Sequence, residues 1–93
     1  MIAFDDLKFE TDESTEHAHH FFDNHYGISV IRGPYTHGGR QGLYELAVLY
    51  MGPEDKYSEL VYDTPVTSDV EGHLTPDDVT RLMEQVGQLT PRN

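Results

Sequence analysis

Cysteine is absent from this chain of 93 residues. Disulfides, thiolate nucleophiles and thiolate zinc sites are thereby excluded, and a small domain without cross-links fits a reducing compartment. Basic residues are scarce: 6 Lys and Arg stand against 17 Asp and Glu, for a formal net charge of −11. Nucleic-acid binders neutralise phosphates with Lys and Arg, so this balance argues against direct nucleic-acid binding. It also opposes an anionic membrane surface. Long apolar runs are missing as well: no stretch approaches a membrane span. The start, Met1-Ile2-Ala3-Phe4-Asp5-Asp6, has neither the basic region nor the apolar stretch of a secretory signal. A cytoplasmic location and no cofactor are the resulting expectations. The length allows one domain over 1–93 and no full α/β barrel or complete dinucleotide-binding fold. With 37% apolar residues, the chain must bury them efficiently or share a surface with a partner.

What is present alternates like a sheet and then changes period. Phe4 to Glu10, with Leu7 and Phe9 on one side, reads as a short edge strand, and the polar Thr11 to Glu16 as a loop. His17 to Phe22 places Ala18, His20 and Phe22 on one face, and His17, His19 and Phe21 on the other. Asp23-Asn24 offers a tight turn, since Asn tolerates the left-handed conformation. Tyr26 to Arg32 is a clear strand. Leu43 to Met51 is the strongest one, apolar on both faces and so expected at the centre of the sheet. Ser58 to Asp63 is a further strand, ended by Thr64-Pro65. Thr75-Pro76-Asp77-Asp78 is a helix start, followed by Val79, Leu82, Met83, Val86 and Leu89 at helical spacing. The pattern predicts an α+β domain: a four- to five-stranded antiparallel meander with one C-terminal helix packed on one face. One helix leaves the other face open, with Ile31, Leu43, Leu49 and Met51 available for a homodimer.

Three constellations bear on chemistry. His17 and His19 share a strand face about 7 Å apart and are candidate metal ligands, with Glu16, Asp23 or His25 as a third. The plainer reading is a polar strand beside Phe21 and Phe22. The second constellation is the loop Gly33 to Gly42. No Asp or Glu occurs between Asn24 and Tyr44, where Arg32 and Arg40 fall, so this is an electropositive island in an acidic chain. Arg32, Tyr35, His37 and Arg40 are its candidate contacts for a partner or a small anion. The loop carries neither a dinucleotide fingerprint nor a Walker motif, and the plainer reading is a long hairpin loop in which glycines supply the turns. The third is the acidic surface, whose spaced carboxylates could imitate a phosphate backbone or simply confer solubility. No Ser-His-Asp spacing stands out among six histidines.

Three segments carry a resemblance: Asn24 to Pro34, Gly42 to Leu49, and Tyr62 through Gly72-His73-Leu74-Thr75 to Val79. Together they look like small accessory proteins encoded by tailed bacteriophages. The resemblance covers about half the chain and leaves out the histidine run. It implies a product acting in the host cytoplasm, assigns no catalytic residue, and favours action through a host protein. The leading expectation is a non-enzymatic binding module that associates with itself or a host factor. The alternatives are a small metal-dependent or anion-binding enzyme and a structural virion component.

Overall fold

The computed structural model describes residues 2–92. Six strands form one antiparallel sheet: β1 (Glu10–Asp12), β2 (Thr15–Phe21), β3 (Tyr26–Arg32), β4 (Tyr44–Tyr50), β5 (Glu59–Leu60) and β6 (Glu71–Leu74). β1 to β5 lie side by side in chain order, and β6 pairs with β4 beside β5. One helix, α1 (Pro76–Gly87), follows directly. The expected α+β architecture is the one observed.

The core lies between α1 and one face of β3 and β4. Register pairs Ile28 with Val48 and Val30 with Leu46, which puts four fully buried aliphatic side chains on the helix side. Each such side chain contributes about 1.5–3 kcal/mol relative to exposure. Val79, Leu82, Met83 and Val86 of α1 close over them. The helix starts as its sequence demands. Thr75 Oγ1 accepts the Asp78 N–H at 3.1 Å, and Asp78 Oδ2 accepts the Thr75 N–H at 3.0 Å. This reciprocal pair satisfies two N–H groups that have no partner within the helix. Gly87 ends the helix two residues before Leu89, and Leu89 still packs against the core.

Asn24 fastens the other end of α1. Its Nδ2 donates to the carbonyls of Val86 and Leu89, both at 2.9 Å, and its Oδ1 accepts the Tyr26 N–H at 3.0 Å. Asn24 is therefore not the left-handed residue of the β2–β3 turn. That conformation falls to His25, at φ 71°.

Three other expectations change. Phe4–Asp6 forms a 3₁₀ turn rather than an edge strand, and the Phe4 N–H donates to Thr80 Oγ1 of the helix at 3.0 Å. Phe4, Phe9 and Tyr44 form an aromatic cluster with centroids 4.9–5.6 Å apart, so docking on the core wins over sheet pairing. Thr11 and Asp12, read as loop, belong to β1, which folds back on β2 in the register Glu10–His17 to Asp12–Thr15. The strand expected over Ser58–Asp63 shrinks to Glu59–Leu60, and β6 is an additional strand.

Candidate functional site

The two faces of the sheet differ. On the face away from α1, register aligns Phe21, Gly27, Leu49 and Leu60 in one row across β2, β3, β4 and β5. The Phe21 ring lies over Gly27: a Cβ placed on Gly27 would sit 2.6 Å from Phe21 Cδ1. The glycine here is a space for the ring. Leu49 is only 6% exposed, but Phe21 and Leu60 retain 37% and 50% of their surface. The next row is His19, Ser29 and Ala47; the row after it is Glu10, His17, Ile31 and Glu45. The face thus grades from apolar at the Phe21 end to polar at the His17 end. The amino-terminal aromatics pack with the core on the helix side, away from this face, where Ala47 and Leu49 are buried and Phe21 and Leu60 exposed. Of the side chains expected to seat a dimer, Leu49 is already buried, while Ile31, Leu43 and Met51 are half-buried.

His17 and His19 do share this face, with ring centroids 6.1 Å apart. Among the described residues no group of three His, Asp or Glu side chains converges to hold a metal ion. The proposed third ligands lie elsewhere: Glu16 points to the helix side of β2 and binds Arg32, and Asp23 and His25 occupy the turn.

The glycine loop is a hydrogen-bonded structure. Thr36 Oγ1 accepts the Gly33 N–H and donates to the Gly33 carbonyl, each at 3.0 Å. Gly38 (φ 92°) and Gly42 (φ 78°) hold left-handed turns around the 3₁₀ segment Gly39–Gln41. The loop docks on β6, where the His73 N–H donates to the His37 carbonyl at 3.0 Å. His73 itself sits at φ 56°, a conformation rare for a residue other than glycine.

The four candidate contacts of the loop separate. Arg32 donates through one terminal nitrogen to both oxygens of Glu16, at 2.8 and 3.0 Å, and its guanidinium lies 4.6 Å from the Tyr44 ring centroid. The Glu16 hydrogen bond raises its pKa above the usual arginine value. It is a structural clasp between β2, β3 and β4. His37 is drawn to Glu45, whose Oε1 accepts its backbone N–H at 2.9 Å and lies 3.2 Å from its Nδ1. Tyr35 is 91% exposed, and Arg40 is exposed, its side chain donating among the described residues through Nε alone, to the Pro34 carbonyl at 3.2 Å. Tyr35 and Arg40 share a hollow with His73. No sequence signal marked His73, because its place depends on β6 pairing.

No helix among the described residues is long and apolar enough to cross a membrane. No family model, curated protein or solved structure matches the chain.

Proposed function

We propose that this chain is a non-enzymatic protein-binding module that docks through the face of the sheet opposite α1, and that its partner there is a second copy of the chain. The row Phe21, Gly27, Leu49, Leu60, whose ends Phe21 and Leu60 stay exposed on either side of the buried Gly27 and Leu49, carries the reading. Charge supports the choice of occupant. At −11, two copies repel over most of their surface, but Phe21, Ser29, Ala47, Leu49 and Leu60 present no carboxylate. A two-fold axis through this row sets apolar surface against itself. The resemblance to phage accessory proteins fits a binding role and leaves a host protein as the other class of partner.

The size of the patch sets the strength. Phe21 and Leu60 leave on the order of 150 Å² open, judged from the area of large side chains. A standard interface buries ~800 Å² per partner. The dimer is therefore weak and concentration-dependent. Sedimentation equilibrium tests it up to about 1 mM, where a free energy near −4 kcal/mol already shows. Wild type should move toward dimer, more so in salt that screens the repulsion, and Leu60→Asp should remain monomeric with an unchanged circular dichroism spectrum. A wild-type chain that stays monomeric throughout overturns self-association. Dimerisation unaffected by Leu60→Asp places the interface elsewhere.

A further inference from the structure

We propose that the hollow between the glycine loop and β6 is an oxyanion site for a phosphate group, with Arg40 as its anchoring cation. It is an open surface hollow of about 230 Å³, below the usual range for organic ligand pockets and suited to a small charged group. Pro34, Tyr35, Thr36, Gly38, Arg40, Gln41 and His73 line it.

The charge pattern points to an anion. Among the described residues no carboxylate lines this hollow. A second hollow, against α1, includes Glu84, and a third, beside Arg92, includes Glu54 and Asp55. Arg32, Arg81 and Arg92 are held by Glu16, Asp78 and Asp63 respectively. Arg40 is the arginine without a carboxylate partner among the described residues. Its Nε donates to the Pro34 carbonyl and leaves both terminal nitrogens to grip two oxygens of one anion.

The backbone builds the rest. Gly38 backs directly onto β6: a Cβ on it would lie 2.8 Å from His73 Cα and 3.1 Å from His73 Cδ2. This close approach brings the His73 imidazole, an N–H donor, to the wall facing the loop. Of the nearby carboxylates, Glu45 accepts the His37 N–H, and Glu71 is exposed two residues before His73. Tyr35 stands at the rim as an open aromatic face against which the organic part of a phosphate ester can lie. The chain's overall charge repels anions at long range, so the site selects at contact and binds weakly.

A ¹H–¹⁵N NMR titration of the full chain in phosphate-free buffer tests the site, with ionic strength held constant by sodium chloride. Inorganic phosphate and phenyl phosphate are the two probes. Saturable shifts should appear at Gly38 to Gly42, at the Arg40 Nε–H and at His73. Arg40→Gln should raise the dissociation constant about tenfold or more, the loss of one charge-assisted grip. Arg81→Gln should leave it unchanged. Arg40→Lys, which keeps the charge and loses the fork, should fall between, and it carries the test if the glutamine variant does not fold. Tighter phenyl phosphate, with that advantage lost in Tyr35→Ala, identifies a phosphate ester as ligand; equal binding of the two probes identifies the free anion. Shifts that stay linear, that chloride reproduces, or that survive both Arg40 substitutions overturn the site.

Discussion

Replacing Asn24 with alanine should destabilise the domain far more than a turn position normally would. The amide makes three hydrogen bonds, to the Val86 and Leu89 carbonyls and from the Tyr26 N–H. Alanine leaves the Tyr26 N–H buried without a partner, at about 1–3 kcal/mol, and removes the two donated bonds, at about 0.5–1.5 kcal/mol each; the Val86 carbonyl keeps the Leu89 N–H at 3.1 Å, and the Leu89 carbonyl can reach water. The expected loss is about 2–5 kcal/mol. A domain of this size has roughly 5–14 kcal/mol in total, so the substitution removes a large share of it. The melting temperature should fall by at least about 10 °C. Urea denaturation measures the loss, with an unchanged slope confirming that the folded state stays compact.

Asn24→Asp sharpens the test. Aspartate keeps an acceptor for the Tyr26 N–H but has no donor for the two carbonyls, and it brings negative charge to the negative end of the α1 dipole. It should cost at least as much as alanine. An Asn24→Asp protein within about 0.5 kcal/mol of wild type would refute the argument, because the stabilisation would then owe nothing to the two donated bonds.

Gly27→Ala should cost about 1–3 kcal/mol in urea, since its Cβ would meet Phe21 Cδ1 at 2.6 Å and the His20 carbonyl at 2.7 Å; no loss would mean that the Phe21 ring does not rest in the row. Leu82→Ala, at the centre of the α1 stripe, should cost about 2–5 kcal/mol by the same assay, and a wild-type midpoint would remove Leu82 from the core. The Asp78 carboxyl is held below the ordinary aspartate value, first by the Thr75 backbone N–H, then by the Thr75 side chain and Arg81. Because the folded value is the lower one, its ionised form stabilises the domain above the unfolded value of about 3.9, and this contribution is lost as pH falls through the folded value. Urea midpoints of Asp78→Asn should therefore fall less steeply than those of wild type below about pH 5. Parallel curves would show that this cap does not titrate.

The sequence makes legible whatever repeats. β3 and β4 alternate over full strands, and the α1 stripe repeats every three or four residues behind a cap motif, so each element states both its type and its buried face. Single residues that act across the fold carry no such pattern. Asn24 in a turn looks like a turn residue, and only the packing of α1 against the β2–β3 hairpin shows its amide facing the last carbonyls of the helix. β6 has one buried apolar residue, Leu74, one glycine and a histidine at positive φ, so local propensity opposes the strand that pairing with β4 creates. At the amino terminus, Leu7 and Phe9 alternate as in a strand, but the aromatic contact of Phe4 and Phe9 with Tyr44 decides the path of the chain.

The electropositive loop shows how linear charge misleads and where it still informs. No acid lies between Asn24 and Tyr44 in sequence, but an antiparallel sheet imports acids from either side. Glu16 is the direct register partner of Arg32, and Glu45, one residue beyond the acid-free stretch, binds His37. A slip of one residue between β2 and β3 would turn Glu16 to the opposite face and free Arg32, so pairing and site are set by the same register. Arg40 escapes because it sits on the 3₁₀ turn of the loop, outside the ladder, where no neighbouring strand can bring a carboxylate opposite it. The charge contrast read along the chain thus contracts in space from four side chains to the surroundings of Arg40. His73, which no linear pattern marks, enters those surroundings through the pairing of β6.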